Sequence, residues 1–155
     1  MKLSPKLIAI FAVFITLVNL GIAIHSFATL PEIIPIHFGA NGKADGWGSK
    51  FTIFLLPIIG LVLNGFLFSV RKQPFSYLNL PLKISQKNIE KRIELGTQLI
   101  DKVNLTVSIL FWVIEVQIIK STTSETTNIL WFVLPIISIL FGIIIYYTYK
   151  MNKLA

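Results

Sequence analysis

Cysteine is missing from all 155 residues, which removes disulfides, thiolate nucleophiles, iron–sulfur clusters and cysteine zinc sites from consideration. Charge is scarce too. Only 14% of the residues are charged, against about a quarter in average soluble domains, and those present gather in short stretches. No serine–histidine–acid set, phosphate-cradling glycine loop or helix-borne pair of histidines can be picked out. An enzyme is therefore not expected, and no cofactor or metal is called for. The formal charge of +7 does not argue for nucleic acid either, because that reading needs a basic face on a soluble module. Here the lysines flank apolar runs.

Apolar residues fill the space that charge leaves. They make up 54% of the chain and give a mean hydropathy of +0.76, more than a soluble domain of this size can hide. Four apolar segments stand out, at residues 7–30, 51–70, 103–119 and 129–149, each near the roughly 17 to 25 residues that cross a hydrocarbon core. The first follows Lys2 and Lys6 as a signal peptide would, and Ser26-Phe27-Ala28 has cleavage-like spacing. Its length exceeds an h-region of roughly 7 to 15 residues, so it reads as an uncleaved span. The expected fold is an all-α integral membrane protein, one domain over residues 1–155 with four transmembrane helices in one bundle.

Orientation follows from the basic residues. Lys2, Lys6, Arg71, Lys72, Lys83, Lys87, Lys91, Arg92, Lys102, Lys150 and Lys153 fall on one side, against Lys43, Lys50 and Lys120 on the other. By the positive-inside rule the first group is cytoplasmic. Both termini and a basic connection (71–102) are then inside, and an ordered loop between the first two spans (31–50) is outside. Within the connection, residues 73–81 read as an irregular, proline-bounded stretch. From Ser85 onward Ile89, Ile93, Gly96, Ile100 and Val103 recur at helical spacing, which predicts an amphipathic helix running into the third span. Its basic residues can attract anionic lipid or simply be solvated.

Helices in lipid associate through small residues and interhelical hydrogen bonds. Thr16, Asn19, Ala23 and Ser26 form such a stripe on the first span. Pro57, Gly60 and Asn64 form one on the second, Asn104, Ser108 and Glu115 on the third, and Pro135, Ser138 and Gly142 on the fourth. All four stripes are expected to face one compact core. The stretches 54–60 and 132–138 resemble each other, either through a two-plus-two internal duplication or, as low-complexity apolar sequence does easily, by chance.

Glu115 is the acidic residue well inside a span, and an intramembrane carboxylate needs a partner, a proton or water. Two readings stay open: it reaches the interface beside Lys120 or Lys50, or it shares an outward-facing polar pocket with His25. Asn104 joins them in the reading of a polar path. The outer loop is more patterned. Pro35 pushes Ile34 toward extended geometry, predicting a strand over residues 33–38. Asn41-Gly42 can supply a tight turn, Asp45-Gly46 offers a second, and Trp47 suits a headgroup-level anchor. His37 and Asp45 can meet as an ion pair or as two ligands of a metal site, which alone do not make one. The preferred reading is that each bonds backbone groups and locks the loop.

Leu30-Pro31-Glu32, Ile34-Pro35-Ile36-His37-Phe38, Gly42 and Asp45-Gly46-Trp47-Gly48-Ser49-Lys50 together resemble the small membrane domain of unknown function at the N-terminus of SdpI-type bacterial immunity proteins. Leu80-Pro81-Leu82-Lys83-Ile84, followed by Asn88 and Arg92, is similar to the connection in short stand-alone members. Toxin immunity, signalling to a repressor and partner sequestration belong to the longer proteins. For a short form the resemblance implies a multi-pass protein of the bacterial cytoplasmic membrane whose outer loop is the working surface. Two functions follow as expectations. One is a binding module for a peptide, toxin or lipid shaped by Pro31, Glu32, Pro35, His37, Phe38, Gly42, Asp45, Trp47 and Lys50. The other is a small transporter, or a subunit partnering another membrane protein, with a polar site at His25 and Glu115.

Overall fold

The computed structural model describes residues 5–71, 88–123 and 128–154. Helix α1 spans Pro5–Phe27, strands β1 and β2 span Ile33–Phe38 and Ala44–Ser49, and a 3-10 turn covers Lys50–Phe54. Helices α2, α3 and α4 follow at Leu55–Val70, Ile89–Ser121 and Leu130–Asn152. The four helical stretches are long and apolar enough to cross a membrane. The irregular stretch at 73–81, the motif at 80–84 and the helix start at Ser85 lie outside the described residues.

Three helices form the core because their small and polar residues repeat in alternating steps of three and four. On α1 the buried set is Ala9, Ala12, Thr16, Asn19 and Ala23. On α2 it includes Pro57, Gly60 and Asn64, and on α3 Asp101, Asn104, Ser108 and Glu115. Such spacing keeps one seam facing its neighbours along a gently crossed pair. Gly60 shows why size matters at the seam. A Cβ there would stand 3.0 Å from Thr16 Cγ2 and 3.6 Å from the Phe111 ring, so anything larger would push α1 and α2 apart. Pro57 is the third residue of α2, where the missing N–H has no intrahelical acceptor to lose.

α3 is the hub, packing against α1, α2 and α4. Its 33 residues reach about 50 Å at the usual rise, well beyond a hydrocarbon core of about 30 Å. The amphipathic segment before the third span is thus one helix with it, as its spacing predicts. Its buried face differs from the expected one: Ile89 and Ile93 are exposed, whereas Arg92, Leu95, Gly96 and Ile100 are buried. The seam of Asp101 and Asn104 turns that face toward α1 and α2.

α4 corrects the expectation of a compact four-helix bundle. It packs principally on α3, where Leu95 meets Tyr147 and Met151, and Tyr147 Oη donates to Gln98 Oε1 at 3.2 Å. Pro135, Ser138 and Gly142 are all exposed. The stripe read as core-facing points outward, because bulky Ile143, Tyr147 and Met151 rather than small residues make the contact with α3.

Between α1 and α2 the chain folds into a β-hairpin. β1 and β2 pair antiparallel, with Ile33 opposite Ser49, Pro35 opposite Trp47 and Phe38 opposite Ala44, and bulges flanking His37. Gly42 carries the turn at φ +74°, a backbone region that costs little for glycine alone. The strand and the Asn41-Gly42 turn agree with the sequence. The second turn does not form, since Asp45 and Gly46 lie within β2, where Gly46 pairs with His37.

Candidate functional site

The hairpin is anchored at three places. At its base Lys50 N–H donates to the Glu32 carbonyl at 2.9 Å, Lys50 Nζ pairs with Glu32 Oε1 at 3.0 Å, and the same ammonium sits 4.7 Å above the Phe27 ring. Beneath it Ile34 is buried with Ala23, Leu30 and Ile53, against Phe27, Phe54, Ile118 and Ile119. At the tip Asn128 Nδ2 donates to the Asn41 carbonyl at 3.0 Å, and Ile129 N–H donates to the Gly42 carbonyl at 3.1 Å. A Cβ on Gly42 would overlap the Asn128 side chain. One small element therefore touches the ends of α1, α3 and α4.

What the anchors leave free is the candidate surface. Ile33, Ile36 and Trp47 are exposed, as are Pro31 and Glu32, while Pro35 and Gly42 are buried and Phe38 and Lys50 are half-buried. His37 Nδ1 and Asp45 Oδ1 pair with each other across the strands. The preferred expectation of separate bonds to backbone is thus replaced by a direct pair, because the bulges beside His37 bring it diagonal to Asp45. The two side chains are 72% and 52% exposed, so water screens the attraction and the pair contributes little to stability. Among the described residues no three histidine or carboxylate side chains gather as a metal set would require.

A second polar region runs through the helical core. Asn64 Nδ2 lies 2.9 Å from Thr16 Oγ1 and 2.8 Å from the Gly60 carbonyl. Asn104 Nδ2 donates to Asn64 Oδ1 at 2.9 Å, and Thr16 Oγ1 lies 3.2 Å from Ser108 Oγ. Toward the end away from the hairpin, Arg71 pairs with Asp101 at 2.8 Å. Beside them is a cavity of about 230 Å³ bounded by Asn64, Arg71, Asp101 and Asn104 together with apolar side chains. Asn104, expected from the sequence to join His25 and Glu115, lines this cavity. The Arg71–Asp101 pair was not singled out from the sequence, although Asp101 stands three residues before Asn104 in the same seam. Asn128 had no signal at all, since its role appears only when the hairpin folds over α4.

Glu115 is fully buried, and both readings of it from sequence are corrected. Lys50 is engaged by Glu32 and Lys120 is exposed, so neither reaches it. His25 is exposed on α1 beside Ile24, on a different face from Asn19 and Ala23, away from the buried Glu115. The polar side chain turned toward Glu115 is Asn19, yet no hydrogen bond of ordinary geometry closes on either carboxylate oxygen or on Asn19 Oδ1.

Residues 14–61 match the family model of DUF1648, a domain of unknown function. That stretch runs from α1 through the hairpin into α2, and contains the loop on which the resemblance rests. A protein of Archaeoglobus fulgidus described as uncharacterized is 26% identical over 137 residues, covering 80% of this chain and 75% of its own length. No solved structure matches.

Proposed function

We propose that this chain is a non-catalytic binding module of SdpI-like type, displaying the hairpin on the extracytoplasmic side of a bacterial cytoplasmic membrane to an extended peptide or peptide toxin. The orientation is supported by Lys6, Arg71, Lys91, Arg92, Lys102, Lys150 and Lys153, which among the described residues gather at the end of the bundle away from the hairpin. One observation carries the binding reading: the hairpin is clamped by three separate contacts, yet presents Ile33, Ile36, Trp47 and the His37–Asp45 pair outward. A mere tether needs no clamps.

A two-stranded sheet also has unpaired edges, and an added strand can bond to such backbone while its side chains find apolar and charged neighbours. Gly46 and Gly48 alternate with Asp45 and Trp47 along β2, and the space their missing side chains leave is taken by His37 and Ile36 of β1. Lipid headgroups remain the natural neighbours of Trp47. The alternative of a small transporter or membrane-complex subunit is favoured by a different observation, the buried Glu115 and the polar seam below it.

Cell survival under envelope-active peptides, compared between the wild type, a deletion, His37→Ala and Asp45→Asn, tests the proposal. Protection is expected to fall to the deletion level in both variants, with membrane insertion and helix content unchanged. Equal protection by inserted variants would remove the hairpin from the function.

A further inference from the structure

The core holds a buried carboxyl group, without an ion-pair partner, for which the binding reading has no use. Glu115 is fully buried in the seam between α1 and α3, and it neither ion-pairs nor accepts an ordinary hydrogen bond through either oxygen. Among the described residues, the groups that could compensate a charge are occupied or distant. On α1, Asn19 faces it and His25 is exposed beyond it. On α2, Arg71 is held by Asp101, and Asp101 lies fourteen positions down α3 from Glu115, about 21 Å by helix rise. At the hairpin base Lys50 is held by Glu32. On α3 itself Lys120 is exposed, and on α4 the buried titratable group, Tyr147, lies at the far end with Gln98.

An ionised carboxylate in that setting would lack both water and a counter-charge, and such groups take up a proton instead. The acceptor that a protonated carboxyl needs is also present, because Asn19 Oδ1 is buried without a hydrogen-bond donor. The apolar cluster of Leu30, Ile34 and Ile53, with Ile118 and Ile119 packed on it, covers the hairpin end of the seam. Toward the other end the seam continues through Thr16, Asn64 and Asn104 to the cavity beside Arg71 and Asp101.

We propose that Glu115, with Asn19 facing it, is a proton-binding site inside the helical core: the side chain is held as the neutral carboxylic acid, and ionising it requires α1 and α3 to part. The ligand is a proton, and the site is separate from the hairpin surface. The site makes α1–α3 packing depend on protonation, since a bare carboxylate there would draw in water or a cation.

Infrared spectroscopy of the full chain in lipid vesicles, with glutamate carboxyls labelled by carbon-13, tests this directly. At neutral pH the wild type should show a protonated glutamate C=O band that shifts in heavy water, and Glu115→Gln should lack it. The glutamine amide has nearly the same shape and no charge, so this variant should keep the wild-type melting temperature. Asn19→Leu should move the frequency of the band by removing its acceptor. A wild type with only ionised glutamate bands at neutral pH would overturn the proposal. So would an ionised band that shifts on adding sodium, which would identify a metal-cation site. A protonated band surviving in Glu115→Gln would place the proton elsewhere. None of these outcomes depends on peptide protection, so the two proposals fail separately.

Discussion

Replacing Asn64 by leucine should weaken the packing of α1, α2 and α3 together. The amide lies 2.9 Å from Thr16 Oγ1 on α1 and accepts from Asn104 on α3 at 2.9 Å, so Asn64→Leu breaks bonds to two neighbouring helices at once. Interhelical hydrogen bonds in membrane proteins average about 0.6 kcal/mol, because the unfolded chain in lipid also finds partners, which makes about 1.2 kcal/mol for the two. Asn104 is buried and loses the acceptor for its amide, adding about 1–3 kcal/mol for an unsatisfied polar group. The expected loss is therefore about 2–4 kcal/mol. Equilibrium unfolding in mixed micelles, followed by tryptophan fluorescence, measures it. The double variant with Asn104→Leu should cost less than the sum of the singles, because no orphan amide remains. A single variant as stable as the wild type, or strictly additive singles, would refute the hydrogen-bonded seam.

Two further outcomes test the hairpin and α4. Gly42→Ala adds a Cβ that overlaps the Asn128 side chain at a backbone φ of +74°. The left-handed conformation alone costs about 1–2 kcal/mol, so the Ile129 amide, which donates to Gly42, should exchange with heavy water at least roughly tenfold faster. Unchanged exchange would mean that the tip is not clamped. Tyr147→Phe removes the bond to Gln98 and should lower stability by about 1 kcal/mol, read by the same micelle unfolding. No loss would take that bond out of the α3–α4 contact.

The parts of this fold that were legible in the sequence are those governed by local rules. Span length follows from hydrocarbon thickness, which is why four apolar runs became four helices. The turn at Gly42 follows from backbone sterics that few other residues tolerate. The seams on α1, α2 and α3 were legible because polar and small groups must face protein rather than lipid. The same rule misplaced α4, because Pro135, Ser138 and Gly142 are small enough to sit exposed at no great cost, whereas the contact with α3 is made by Tyr147 and Met151. Pairings across the chain were the least legible: the His37–Asp45 pair was one of several readings left open by the sequence and is fixed by the bulges of β1, and Asn128 with Asn41 needed the hairpin laid over α4.

How α4 is held decides what a contact at the hairpin can move. At one end of α4 the attachment is apolar, through Leu95, Tyr147 and Met151. At the other it is polar and comes from the hairpin tip, through Asn128 and Ile129. Between these ends a small gap separates Phe132 from Trp112, Val116 and Gln117 on α3, so side-chain packing there is loose. The three-helix seam, by contrast, is closed by hydrogen bonds and by the close approach at Gly60. A disturbance at Asn41 or Gly42 is therefore borne by the start of α4 before it reaches the core. The loss caused by Gly42→Ala should accordingly stay confined to the hairpin and α4, while Asn64→Leu acts on α1, α2 and α3 together.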